Sequence, residues 1–279
     1  MIYIIPWVLV AIAALASKVF PLSLTLLFSL NVWCLSMPHS FSTFTRHDLR
    51  TLRIGVKATL LYLVFFISLS MLMNRIGLVT IYSFYFYWQQ FHYTKQNMGI
   101  GIWKKTDRSL RERSIDYSFY FFISIFSIAA SFYGGGIQFF GYSLLNPFIW
   151  FTLSPFSVIM LNLILLGFYV YLRPGYWKMA LTHTLIYTLA YLVLDNFVLG
   201  WVLLNIFHNS QYLFFMNQEE KNLRFFLYAA LLSVGFYMVL HASFLIAASI
   251  AIMLAMNFTH YIFDGLVWKK NFHLKSLWA

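Results

Sequence analysis

His39, His92, His208 and His260 each stand where an apolar run of the sequence ends, and imidazole is the side chain that most often holds a transition metal. Burying such groups singly in an apolar medium is costly, so four at one depth suggest a shared metal or cofactor site. Polar partners follow one turn on: Gln96 four positions after His92, Asp264 four after His260, and Gln211 and Tyr212 three and four after His208. Residues so spaced share a helix face. A carboxylate beside an imidazole either binds the metal or accepts the ring N–H and fixes its tautomer, which gives Asp264 an expected catalytic part. Gln96 is expected to hydrogen-bond bound water or O2. Imidazoles with one carboxylate and open positions are the donor set of non-haem iron(II); zinc fits the same donors, and facing histidines can be the axial pair of a haem. A plainer reading stands beside this one: the same histidines cap helices, hydrogen-bond carbonyls or bind lipid headgroups.

The other histidines divide by position. His183, in the inner half of the run 177–195, is the candidate for an added metal ligand. His47, eight positions after His39, reads more simply as facing water. His241 falls at the opposite end of its run and His273 in the tail, and neither is given chemistry. Arg46 reads as an interfacial anchor, with an anion or Asp264 as its other possible partner.

The elements that must carry these residues follow from composition. Of 279 residues, 61% are hydrophobic, 21% aromatic and only 10% charged, too little polar surface to coat a water-soluble globule. Apolar runs recur at 2–17, 19–37, 56–74, 76–92, 117–135, 150–171, 177–195, 197–215, 225–242 and 244–264. Each is about long enough, as a helix, to cross a hydrocarbon layer. Three pairs are closely spaced, so the expectation is an all-α polytopic transmembrane bundle of eight to ten spans, 1–279 forming one integral membrane domain. Continuous apolar runs lack the alternation of a membrane barrel.

Charge placement orients that bundle. With a cytoplasmic N-terminus and ten spans, 17 of the 19 Lys and Arg residues fall inside, leaving Lys18 and Arg75 outside. Both termini are then cytoplasmic, in a bacterial inner membrane, and the net charge of +11 answers to topology and anionic headgroups rather than to nucleic acid. Runs two, four, eight and ten descend together and bring His39, His92, His208 and His260 to the inner boundary. Ala14-Leu15-Ala16 resembles a signal-peptidase site, but no basic segment precedes it and a second run follows at once, so the first helix is expected to be retained. Cys34 has no partner cysteine and reads as packing. Segment 93–116, with Trp103 among lysines, suits an interfacial stretch, and Gly134, Gly135 and Gly136 predict a turn or re-entrant piece. Tyr82, Phe84, Tyr85, Phe86, Tyr87, Trp88 and Phe91 make the fourth run aromatic, from packing or around an extended apolar substrate.

The set PHSFSTFTR, WQQFHYTKQNMG, FHNSQYL and HYIFDGLVWK resembles motifs of a broad group of bacterial multi-pass membrane proteins, over most of the chain. More distantly, the size, the Pro38-His39 pair and the dispersed single histidines are similar to the Brp/Blh family of membrane carotene dioxygenases. That resemblance implies non-haem iron held by histidines of several helices, cleaving a polyene with O2, and carries the iron-ligand role onto His39, His92 and His208. The chain departs from the pattern in lacking a small residue and Asp after Pro38-His39, and in having Tyr212 where a second histidine would follow His208. The paired histidine boxes of membrane desaturases are absent. The expected function is a membrane-embedded metal-dependent oxygenase or oxidoreductase acting on a lipid, carotenoid or other isoprenoid, with membrane lipids as its surroundings. The alternatives are a haem-binding electron carrier, a transporter and an assembly factor without chemistry.

Overall fold

The computed structural model describes residues 2–19, 23–40, 52–102, 108–133, 135–139, 142–148, 153–220, 254–255 and 257–262. Its elements are helical apart from one short β-ribbon. They are α1 (Ile4–Val19), α2 (Ser23–Leu30), α3 (Leu52–Ile102), α4 (Leu110–Ser131), α5 (Pro155–Leu172), α6 (Trp177–Thr188) and α7 (Phe197–Glu220). Two π-helical segments, Asn31–Ser36 after α2 and Leu189–Val193 after α6, widen the helix locally, a feature that recurs at functional sites. The all-α expectation holds, and most of the apolar runs recur as helices. The split near residue 75 corresponds to Gly77 inside α3, whose φ of 77° is a left-handed backbone that glycine adopts without a Cβ penalty.

Local signals fix the ends. Ser109 opens α4 with a capping box: its hydroxyl accepts from the Glu112 backbone N–H while the Glu112 carboxylate accepts from the Ser109 N–H. Ser154 caps α5 with Pro155 at the first helical position, and Arg173 with Pro174 ends it. The glycine-rich turn leads into a two-strand antiparallel ribbon, β1 (Gln138–Phe139) and β2 (Tyr142–Ser143), with Gln138 opposite Ser143. Side chains of α3 hold it: Tyr87 OH donates to the Leu145 carbonyl at 2.7 Å, and Ser83 Oγ accepts from the Leu145 N–H at 2.9 Å.

The chain divides into two compact units, the first made of Met1–Leu27 and Leu78–Gln211, the second of Phe28–Gly77 and Tyr212–Ala279. In the first, α4, α5 and α6 pack on one another, and Phe86 sits fully buried against Phe139, Tyr191 and Phe197. In the second, Phe65 of α3 packs against Phe258 at 5.6 Å. Cys34, expected in packing, is exposed on the π-helical segment.

On α1 and α5 large apolar side chains face outward. On α5 Ile164 is 68% exposed while Asn162, two residues earlier, is 1% exposed and donates its amide to Ser127 and Thr188. Phe156, Leu163 and Phe168 share the outer face, and Ile4, Val8, Ile12 and Leu15 make a similar stripe on α1. Among the described residues two helices are both long and apolar enough to cross a membrane, Leu110–Ser131 and Pro155–Leu172, with the shorter apolar Ile4–Lys18 beside them. A bundle of eight to ten spans is therefore not supported. The expected runs 225–242 and most of 244–264 lie outside the described residues. On α7, and on α3 from Gln89 onward, buried Gln89, Gln90, Gln96, Asn97, Asn205, Asn209 and Gln211 lower the mean hydropathy.

Candidate functional site

The histidines named from the sequence are buried: His39, His92, His208 and His260 are between 0 and 6% exposed. Two of them belong to each of the two units. In the second unit His39, at the end of the helical stretch that follows the π-helical turn, places Nε2 2.8 Å from Nε2 of His260. Their rings stand edge to face, 4.6 Å between centroids, and the Tyr212 ring packs edge-on to His39 at 4.1 Å. Ser40 Oγ donates to Asn257 Oδ1 at 3.3 Å, tying the two segments that carry this pair. Two pyridine-type nitrogens cannot lie so close with lone pairs facing; a proton or a cation must stand between them.

In the first unit the His92 and His208 rings lie 5.2 Å apart, edge to face, on α3 and α7. Gln96 Nε2 is 3.3 Å from His208 Nδ1 and 3.5 Å from the His208 carbonyl. Tyr93 lies over the His208 ring at 3.8 Å and its hydroxyl donates to Asn205 Oδ1. Asn205 also accepts from Gln89 Nε2, and Gln89 Oε1 accepts from the Trp201 indole N–H at 2.7 Å. This amide and indole network fixes the facing surfaces of α3 and α7 on the side that carries His92 and His208. Gln96, expected to act on bound water or O2, instead contacts the ring nitrogen of His208 remote from Nε2, the place from which a ligating imidazole is oriented.

His183 differs from the expected added ligand. Its Nε2 faces the Tyr120 carbonyl at 3.0 Å, so that nitrogen carries the proton, and Nδ1 then accepts from the Asn97 amide at 3.0 Å. Both ring nitrogens are taken by the protein. From Nε2 a hydrogen-bonded chain runs through Ser124 (3.2 Å) and Thr94 (2.7 Å) to Tyr187 (3.1 Å) in the interior of the first unit. Asp264, expected as ligand or orienter, lies outside the described residues, as do Arg46, His47, His241 and His273.

A buried ion cluster was not expected. Asp116, fully buried near the start of α4, accepts from Arg108 Nη1 at 3.0 Å and from Tyr169 OH at 2.8 Å, with Arg173 Nε 3.3 Å away. Arg173 also pairs with Glu112. Burial alone would push the Arg173 guanidinium down, but Asp116 and then Glu112 hold it above its ordinary value. The sequence signal was available: Asp116 stands one position before an apolar run, where a lone carboxylate needs a cation.

Comparison of the chain with protein-family models, with curated proteins and with solved structures finds no match.

Proposed function

We propose that this chain is an integral membrane protein whose histidine pairs hold iron(II), and that it acts as an oxidoreductase or oxygenase on a lipid, carotenoid or other isoprenoid near the cytoplasmic face of a bacterial inner membrane. The observation that carries the metal reading is the buried His39–His260 pair, Nε2 to Nε2 at 2.8 Å. Two imidazole nitrogens bound at about 2.1 Å and a right angle apart stand about 3 Å from each other, so this pair needs little movement to take an ion. The membrane reading rests on the outward apolar faces of α1 and α5 and on the length and apolarity of α4 and α5.

Within this proposal His39 and His260 are ligands in the second unit, and His92 and His208 in the first. Gln96 orients His208. His183 is left out of the ligand set, since both its nitrogens are engaged. When bound, iron supplies the redox chemistry with O2. The protein's own contribution is a dry surrounding: the four histidines are buried, and the fully buried Tyr212 ring packs edge-on to His39.

The test is metal analysis of detergent-purified protein beside His39→Ala and His260→Ala, with an absorption spectrum. Stoichiometric iron in wild type, lost in both variants, and O2 uptake on addition of a carotenoid or membrane lipid are the expected results. Well-folded wild type without metal overturns the reading, and a Soret band would turn it to haem. A transporter is the second reading, favoured by the interior chain from Asn97 through His183, Ser124 and Thr94 to Tyr187. It requires solute uptake into proteoliposomes, unaffected by removal of transition metal.

A further inference from the structure

The first unit buries amide oxygens that the protein itself does not satisfy. Asn97 and Gln211 are fully buried, and the nitrogen of each amide is committed. Asn97 Nδ2 must face His183 Nδ1, because His183 Nε2 spends its proton on the Tyr120 carbonyl. Gln211 Nε2 lies 3.4 Å from Met179 Sδ, an atom that can accept but has no hydrogen to give. Each orientation is thus chemically determined rather than a free choice of amide flip. Asn97 Oδ1 and Gln211 Oε1 are left as pure acceptors, and neither they nor the buried Tyr120 hydroxyl has a hydrogen-bond partner among the described residues.

These three oxygens belong to one neighbourhood of α3, α4, α6 and α7. Tyr120 Oη and Met179 Cγ both lie 2.9 Å from the point where a Cβ on Gly101 would stand, and Gly101 is one turn beyond Asn97 on α3. Met179 Sδ is the atom that Gln211 touches, and the His183 ring, bonded to Asn97, is 4.8 Å from the Tyr120 ring. A phenol donor thus stands near two amide acceptors and bonds to neither.

We propose that this neighbourhood binds a monovalent alkali cation through Asn97 Oδ1, Gln211 Oε1 and Tyr120 Oη. Neutral amide and hydroxyl oxygens are hard donors that replace the hydration shell of a singly charged ion, as rings of carbonyls do in potassium channels. A divalent ion would call for carboxylates, and none is among the residues just named. The site is separate from the histidine pairs in donor chemistry, oxygen against nitrogen, and it stands whether or not those pairs hold iron.

The experiment uses the full chain in detergent, stripped of transition metal by chelator, with melting followed by tryptophan fluorescence in sodium, potassium or choline chloride at equal ionic strength. One alkali salt is expected to raise the melting temperature saturably, by about 4 °C at tenfold excess over its Kd. Radioactive sodium or rubidium, retained at one ion per chain, reads the same event directly. Gln211→Leu abolishes retention, and Tyr120→Phe weakens it about tenfold, since it removes one ligand oxygen and no protein hydrogen bond. Identical melting in the three salts with no retained ion, or a response that survives in both variants, overturns the proposal and leaves a bridging water in its place.

Discussion

Gly200→Ala is expected to destabilise the first unit by about 3 kcal/mol, the upper end of the cost of overpacking. A Cβ at Gly200 would stand 1.9 Å from the Ala190 carbonyl oxygen and 2.8 Å from its carbonyl carbon. Both atoms are backbone, in the π-helical turn after α6, so no rotamer change relieves the clash and α7 must move away. That movement pulls Trp201 from Gln89 and from the Phe139 ring, 5.0 Å between centroids. For a unit of this size the loss is a fall of about 6–12 °C in Tm. Gly167→Ala on α5 is the matched control: nothing lies within 4 Å of its Cβ position, and it is expected to melt at or slightly above wild type. Equal melting of the two variants would contradict the close approach of α7 to residue 190.

Asp116→Ala is expected to cost about 3–5 kcal/mol, because it strands charge rather than removing a contact. The carboxylate is fully buried and serves Arg108, Arg173 and the Tyr169 hydroxyl. Arg173 is itself 5% exposed and keeps Glu112 as its one carboxylate partner among the described residues, with the Tyr176 ring 4.6 Å away. The sign would differ if the whole cluster were exchanged for apolar groups of the same volume, which is often neutral or stabilising. Glu112→Gln, at a carboxylate 26% exposed, is expected to lose less than about 1 kcal/mol, since solvent screens it. Thermal melts of the two variants rank them; a larger loss at Glu112 than at Asp116 would show that the buried carboxylate is not the centre of the cluster.

Helix positions were legible because lipid-length apolar runs and their breakers are local signals. The run 150–171 is α5 displaced by a few residues, and the division near 75 is Gly77. The burial of His39, His92, His208 and His260 was also legible, from their places at the ends of those runs. The contact of His39 with His260, and that of His92 with His208, was not, since each is packing between segments far apart in sequence. The part played by His183 depended likewise on two neighbours, Tyr120 and Asn97, that no spacing rule connects to it. Asp116 was overlooked because the charged stretch before it drew the whole segment to the interface, whereas its side chain turns inward to Tyr169. Along α7 the apolar run 197–215 also carries buried Asn205, Asn209 and Gln211, and hydropathy, which averages over a helix, does not see that one side is polar.

The exposed thiol of Cys34, the only cysteine in the sequence, gives the second unit a ready spectroscopic handle. It precedes His39 by five residues, about 7 Å of helical rise. A nitroxide attached there in native protein would broaden when a paramagnetic ion joins the imidazoles and stay sharp with diamagnetic zinc. One line shape therefore separates a paramagnetic ion from a diamagnetic one.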